Sequence, residues 1–231
     1  MPILKILLKP LPQKLIHMIE RFLQTDIRYL TRGSFWITLN HGVQFVAGML
    51  LAIAFANLIE PETYGTYKFI LSVAAILSIT TLGSMGTAVN KAVARGFEGS
   101  LQHALRLKLM VGLLGTLGSL VAALYYYLNG NTELTFLFLL TAPFIGPSFS
   151  FNIYSDYLRG QKKFKTASQF GIIKGVIRVI LFLPILFITG NVFYLLAAHF
   201  ILNTILGYLF YKLTLVKYPP NTDEDPQTIP Y

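Results

Sequence analysis

Apolar residues in this 231-residue chain run in long blocks separated by short polar clusters, and within a block polar positions are too rare to mark one solvent-facing side. A helix needs about 20 apolar residues to cross a hydrocarbon layer of about 30 Å. Six blocks reach that length, at residues 36–58, 69–89, 109–128, 134–154, 170–189 and 192–211. Turn formers mark three of the joints: Glu60-Pro61, Asn129-Gly130-Asn131 and Gly190-Asn191. The pattern predicts an all-α polytopic membrane protein with six transmembrane helices.

The flanks differ from the blocks. In residues 1–32, Ile19, Phe22, Leu23 and Leu30 fall near helical spacing with Lys14, Arg21 and Arg28 between them, which predicts a helix lying in the membrane surface. No run there combines the apolar core and small-residue cleavage site of a signal peptide. Residues 92–107 have a similar amphipathic character and are expected to ride the interface too. After a six-helix bundle over 33–214, residues 215–231 read as a linker or truncated tail: four prolines and Asp223, Glu224 and Asp225 cannot bury a core.

Net charge is +9, with 19 Lys and Arg against 10 Asp and Glu. Sixteen of the basic residues lie before the first block, after the second, after the fourth or after the sixth; Lys68 alone lies on the other side. The positive-inside rule therefore places both termini in the cytoplasm of a cell whose inner membrane holds the chain. The basic excess is topological, and nucleic acid is not an expected partner. Composition agrees: 54% hydrophobic and 13% charged residues, against about 25% charged in soluble domains. With no cysteine, the chain has no disulfide, thiolate metal site or cysteine nucleophile.

Candidate chemistry comes from polar residues inside the blocks, where a Lys or Arg costs about 2.5–3.5 kcal/mol. Lys174 and Arg178, four apart, share one face of the fifth helix. Arg178 falls about 12 Å from that block's start, near mid-membrane, whereas Lys174 is within snorkelling reach of the headgroups. No Asp or Glu lies in any of the six blocks. Arg178 therefore needs a cavity, and an unpaired cation in a cavity suits an anionic cargo such as a phosphate or pyrophosphate. Asn40, His41 and Gln44 in the first block, and His199 and Asn203 in the last, fall near similar depths and are expected to line a hydrophilic path; interhelical hydrogen bonding is the alternative role. Pro143, Pro147 and Pro184 permit bends, and Gly112, Gly115 and Gly118 mark close helix packing. No carboxylate pair, metal-binding cluster or glycine-rich phosphate loop appears, so neither catalysis nor a cofactor is expected.

Pro61-Glu62-Thr63-Tyr64-Gly65, Leu82-Gly83 followed by Asn90, Lys91 and Arg95, and Leu158-Arg159-Gly160 before a basic run stand in a characteristic order against the helices. From about Leu30 onward the chain resembles the polysaccharide and O-antigen flippases of the multidrug, oligosaccharidyl-lipid and polysaccharide exporter superfamily. The resemblance implies two pseudo-symmetric halves, 12 to 14 helices in all, that alternate access to move a polyprenyl-pyrophosphate-linked oligosaccharide between leaflets. It also implies cationic cavity residues for the pyrophosphate, a role Arg178 and Lys174 suit. Because the sequence stops in what resembles the linker between halves, the expectation is an N-terminal half that works with a C-terminal half or as a homodimer. A drug or metabolite exporter of the same superfamily, a membrane-embedded glycosyl- or acyltransferase, and a noncatalytic scaffold remain as alternatives.

Overall fold

The computed structural model describes residues 27–221, with side chains from Gly33 onward; most of the expected surface helix and the end of the tail lie outside them. The described residues form eight α-helices and no strand: α1 (Ile27–Leu58), α2 (Pro61–Leu77), α3 (Met85–Ala94), α4 (Ser100–Leu128), α5 (Thr132–Ser150), α6 (Ile153–Gly160), α7 (Phe164–Ile188) and α8 (Val192–Lys217). Among them, α1 from Gly33, α4, α5 with α6, α7 and α8 are long and apolar enough to cross a membrane. The protein is an all-α, multi-pass membrane protein.

The joints follow local chemistry. Pro61 opens α2 at a position where a missing N–H costs nothing. Gly130 and Gly190 take positive φ of 76° and 55°, which a residue without Cβ adopts freely. Asn131 and Asn191 cap α5 and α8, accepting from the backbone N–H of Leu134 and Phe193 at 3.0 and 2.8 Å.

Around α3 the structure differs from the sequence expectation in two ways, and the fourth block is also divided, at Phe151–Asn152 between α5 and α6. The second block is not one helix over 69–89. It starts at Pro61, tightens into a 3₁₀ turn over Ser78–Thr81, and resumes as α3 with a 46° bend. Here Ser78, Thr80 and Thr81 turn their hydroxyls onto the carbonyls of Ala75, Leu77 and Ser78 at 2.6–2.7 Å, and Leu82 is left-handed at φ 54°. Nor do residues 92–107 form a surface helix: α3 ends at Ala94, a turn follows, and α4 runs unbroken from Ser100 into the membrane.

The parallel pairing of α1 and α7 counts the crossings. Gly33 packs on the Phe164 ring, Asn40 on Gly171, Gln44 on Gly175 and Ile59 on Gly190, a constant register from one end to the other. Two helices that run the same way across a membrane have an odd number of crossings between them. α4 and the α5–α6 pair supply two, so the bent α2–α3 pair makes the third and the total is six.

The same contacts sort the loops. Ile59 lies beside Gly190, and Phe69 of α2 meets Tyr126 near the end of α4 at 6.3 Å, which gathers the three short loops at one end. At the other end Glu98, between α3 and α4, accepts from Gln161 Nε2 and from the backbone N–H of Asn221, both at 2.9 Å. That end holds the interior loops rich in Lys and Arg.

The core is built on close contacts. Gly112 lets α4 approach α5 so nearly that a Cβ there would sit 3.0 Å from Gly146 Cα, and Gly115 and Gly118 admit Leu77 and Thr80. Ser119 donates to the Phe138 carbonyl at 3.0 Å and Thr116 to that of Ala142 at 3.0 Å, tying the two helices across the glycine seam. Prolines 143, 147 and 184 sit inside α5 and α7 without ending them.

Candidate functional site

Helix α7 begins at Phe164, six residues before its apolar block, so Lys174 lies about 15 Å along the helix. Lys174 Nζ donates to Asn152 Oδ1 at 2.9 Å, and Asn152 sits at the break between α5 and α6. One turn further on, Arg178 has no hydrogen-bonding or ion-pairing partner among the described residues. It lies within electrostatic reach of Lys174, of His199 on α8 and of Tyr67 on α2.

His199 is held from several sides. Its Nδ1 lies 3.3 Å from the Tyr67 hydroxyl, and the rings of Tyr67, Phe182 and Phe200 surround it at 5.2–6.4 Å between centroids. Phe55 of α1 stacks on Tyr67 at 5.1 Å and meets Tyr64 and Phe182 at 5.3 and 6.4 Å. Four helices thus meet in one aromatic cluster between Arg178 and the short-loop end.

The polar residues of α1 are placed otherwise. Gln44 donates to the Gly171 carbonyl at 2.6 Å, and its amide fills the space a Cβ on Gly175 would take. Asn40 fills the corresponding space at Gly171, and its Oδ1 is buried without a hydrogen-bond partner. Both residues hold the α1–α7 seam. Asn40 and the exposed His41 also line a polar cavity of about 60 Å³ toward the basic end, with Ser155, Arg159 and Ser168. Asn203 turns back on its own helix, donating to the His199 carbonyl at 2.8 Å.

The structure therefore brings Lys174, Arg178 and His199 together, puts Gln44 and Asn40 into the seam beside them, and leaves His41 nearer the basic end. Sequence reasoning missed Asn152 and Tyr67. Asn152 was legible only as a polar residue near the end of a proline-containing block, and Tyr67 only as the last residue of Tyr64-Gly65-Thr66-Tyr67, about one turn of helix past Tyr64. The described carboxylates are elsewhere: Glu60, Glu62 and Glu133 at the short-loop end, Glu98 and Asp156 toward the basic end. Among the described residues the ion pair formed is Arg159–Asp156, at 4.0 Å. The described residues contain no cluster of His, Cys, Asp or Glu that could hold a metal ion.

The arrangement has the chemistry to bind an anion: two cations one turn apart face no carboxylate among the described residues, and the Asn152 amide orients the Lys174 ammonium. No curated protein and no solved structure matches the chain. The family model described as polysaccharide biosynthesis protein matches residues 30–225, which takes in all the described helices but the first three residues of α1, and the chain belongs to that family.

Proposed function

We propose that this protein forms one half of a flippase that carries a polyprenyl-diphosphate-linked oligosaccharide across the cytoplasmic membrane for surface polysaccharide synthesis, its other half being a C-terminal bundle or a second copy. Lys174 and Arg178 bind the diphosphate, and the groups beside them on α2 and α8 border the path. The observation that carries this reading is the pair of cations within an apolar helix that have no carboxylate partner among the described residues. A lipid diphosphate supplies the missing negative charge through short, charge-assisted hydrogen bonds. Membership of the polysaccharide biosynthesis family makes a sugar-bearing lipid the matching cargo.

In this reading the basic end faces the cytoplasm. The aromatic cluster of Phe55, Tyr64, Tyr67 and Phe182 then lies on the outer side of the cations, and the cargo approaches from the basic end. Binding and reorientation suffice for such a task, with no bond made or broken. Arg178→Ala in the complete transporter should abolish export of surface polysaccharide at unchanged expression; normal export by that variant would refute the role of Arg178.

A further inference from the structure

We propose that Asn152 is a positioning residue of the anion site, and that its neutrality is what the site requires: it fixes the Lys174 ammonium without cancelling its charge. This rests on the reading of Lys174 and Arg178 as an anion site.

The geometry has three parts. Asn152 lies at the break between α5 and α6, where the two helices expose an amide toward α7. Its Nδ2 donates to the Ser148 carbonyl at 3.0 Å. That bond sets which way round the amide lies, because a carbonyl can only accept, and it leaves Oδ1 for the ammonium at 2.9 Å. An ammonium has three donors, and this contact occupies one of them. Two remain for a ligand, held in a fixed direction beside Arg178.

The surrounding charges make neutrality matter. Arg178 on the same helix and His199 on α8 are the charged or titratable groups felt by Lys174 or in reach of both cations. Asp156, one turn beyond Asn152 on α6, lies against Gly86 at the start of α3 and pairs with Arg159, away from Lys174. A side chain that differs from aspartate only in replacing one oxygen by an amide nitrogen thus sits where an aspartate would form a half-buried ion pair with Lys174. Such a pair would stabilise the empty protein and leave less positive charge for the cargo.

The test is binding by the purified full-length protein in detergent, titrated with a polyprenyl diphosphate and with the uncharged polyprenol of equal chain length. The wild type should prefer the diphosphate. Asn152→Asp should weaken diphosphate binding at least about tenfold, since a carboxylate at that distance offsets most of a unit charge, and leave polyprenol binding unchanged. Lys174→Gln should reproduce that loss, and Asn152→Ala, which frees the ammonium without neutralising it, should lose less. Asn152→Asp binding as well as the wild type, or Asn152→Ala falling as far as Asn152→Asp, would overturn the proposal. Should Asn152→Asp not fold, the order of Lys174→Gln and Asn152→Ala decides, and a greater loss in the alanine variant overturns it. A wild type that binds both lipids alike would remove the anion site itself, and this proposal with it.

Discussion

Gly175 separates a seam held by shape from one held by composition. A Cβ there would lie 2.6 Å from Gln44 Nε2, far inside contact distance, so in Gly175→Ala the Gln44 amide must retreat. Retreat breaks its 2.6 Å bond to the Gly171 carbonyl. Interhelical hydrogen bonds in membranes are worth about 0.6 kcal/mol on average, and inserting a methyl into a packed seam costs about 1–3 kcal/mol. Against this, alanine is a better helix former than glycine by about 1 kcal/mol. The net expectation is a loss of about 1–2 kcal/mol. In the Gln44→Ala background the space is already empty, and the same substitution should stabilise by up to about 1 kcal/mol. Equilibrium unfolding of the four purified proteins in mixed micelles, with a denaturing detergent as titrant, measures the cycle. Since α1 packs chiefly on α7, the whole effect falls on this seam. An effect of equal sign and size in both backgrounds would show that Gln44 does not occupy the Gly175 hollow.

Two further outcomes follow from the ends of the bundle. Glu98→Ala removes the acceptor for both Gln161 and the Asn221 backbone, a loss of about 1–2 kcal/mol of local stability, so tryptic cleavage after Lys217 should speed up roughly fivefold to thirtyfold; an unchanged cleavage rate would mean that Glu98 does not hold the chain there. Because the chain has no cysteine, single cysteines report sidedness directly: in intact cells a membrane-impermeant maleimide should label Glu62→Cys at the short-loop end and spare Lys91→Cys at the basic end, and the reverse pattern would invert the topology argued from charge.

The spans were legible because hydropathy is a local property: every apolar block falls mainly on helical backbone. The breaks were not. Between Ser78 and Ser84 the residues are small, apolar or hydroxylated, and a hydropathy window averages over hydroxyls whose effect is to draw carbonyls out of the helix ladder. Residues 92–107 carry an amphipathic pattern, yet a turn at Gly96 with φ 101° divides them between two helices. In the site, Lys174 and Arg178 stood out because charge in an apolar block is rare. Which way Asn40 and Gln44 point depends on Gly171 and Gly175, more than a hundred residues away, and only the register of α1 on α7 reveals that the amides fit glycine hollows. Asn152 was hidden for the opposite reason: a neutral amide in a proline-rich block attracts no notice until an ammonium is found against it.

Stability measured without ligand distinguishes an anion site from a structural cation by sign. An arginine at mid-membrane costs about 2.5–3.5 kcal/mol. Lys174 recovers part of a similar cost through its hydrogen bond to Asn152, since bonds to charged groups are worth about 1.5–3 kcal/mol. Arg178, near the middle of α7, has no such partner among the described residues, so the empty protein carries its cost largely unrelieved. Arg178→Met keeps an unbranched, flexible side chain and removes the charged guanidinium, and it should therefore stabilise the unliganded protein by about 2–3 kcal/mol in the same unfolding assay. Were Arg178 instead half of a buried pair, the same substitution would strand its partner and destabilise by about 3–5 kcal/mol. A variant that unfolds later yet exports nothing is the behaviour of a residue kept for its cargo, because the free energy the empty fold forgoes at Arg178 is the part that an anionic headgroup can return.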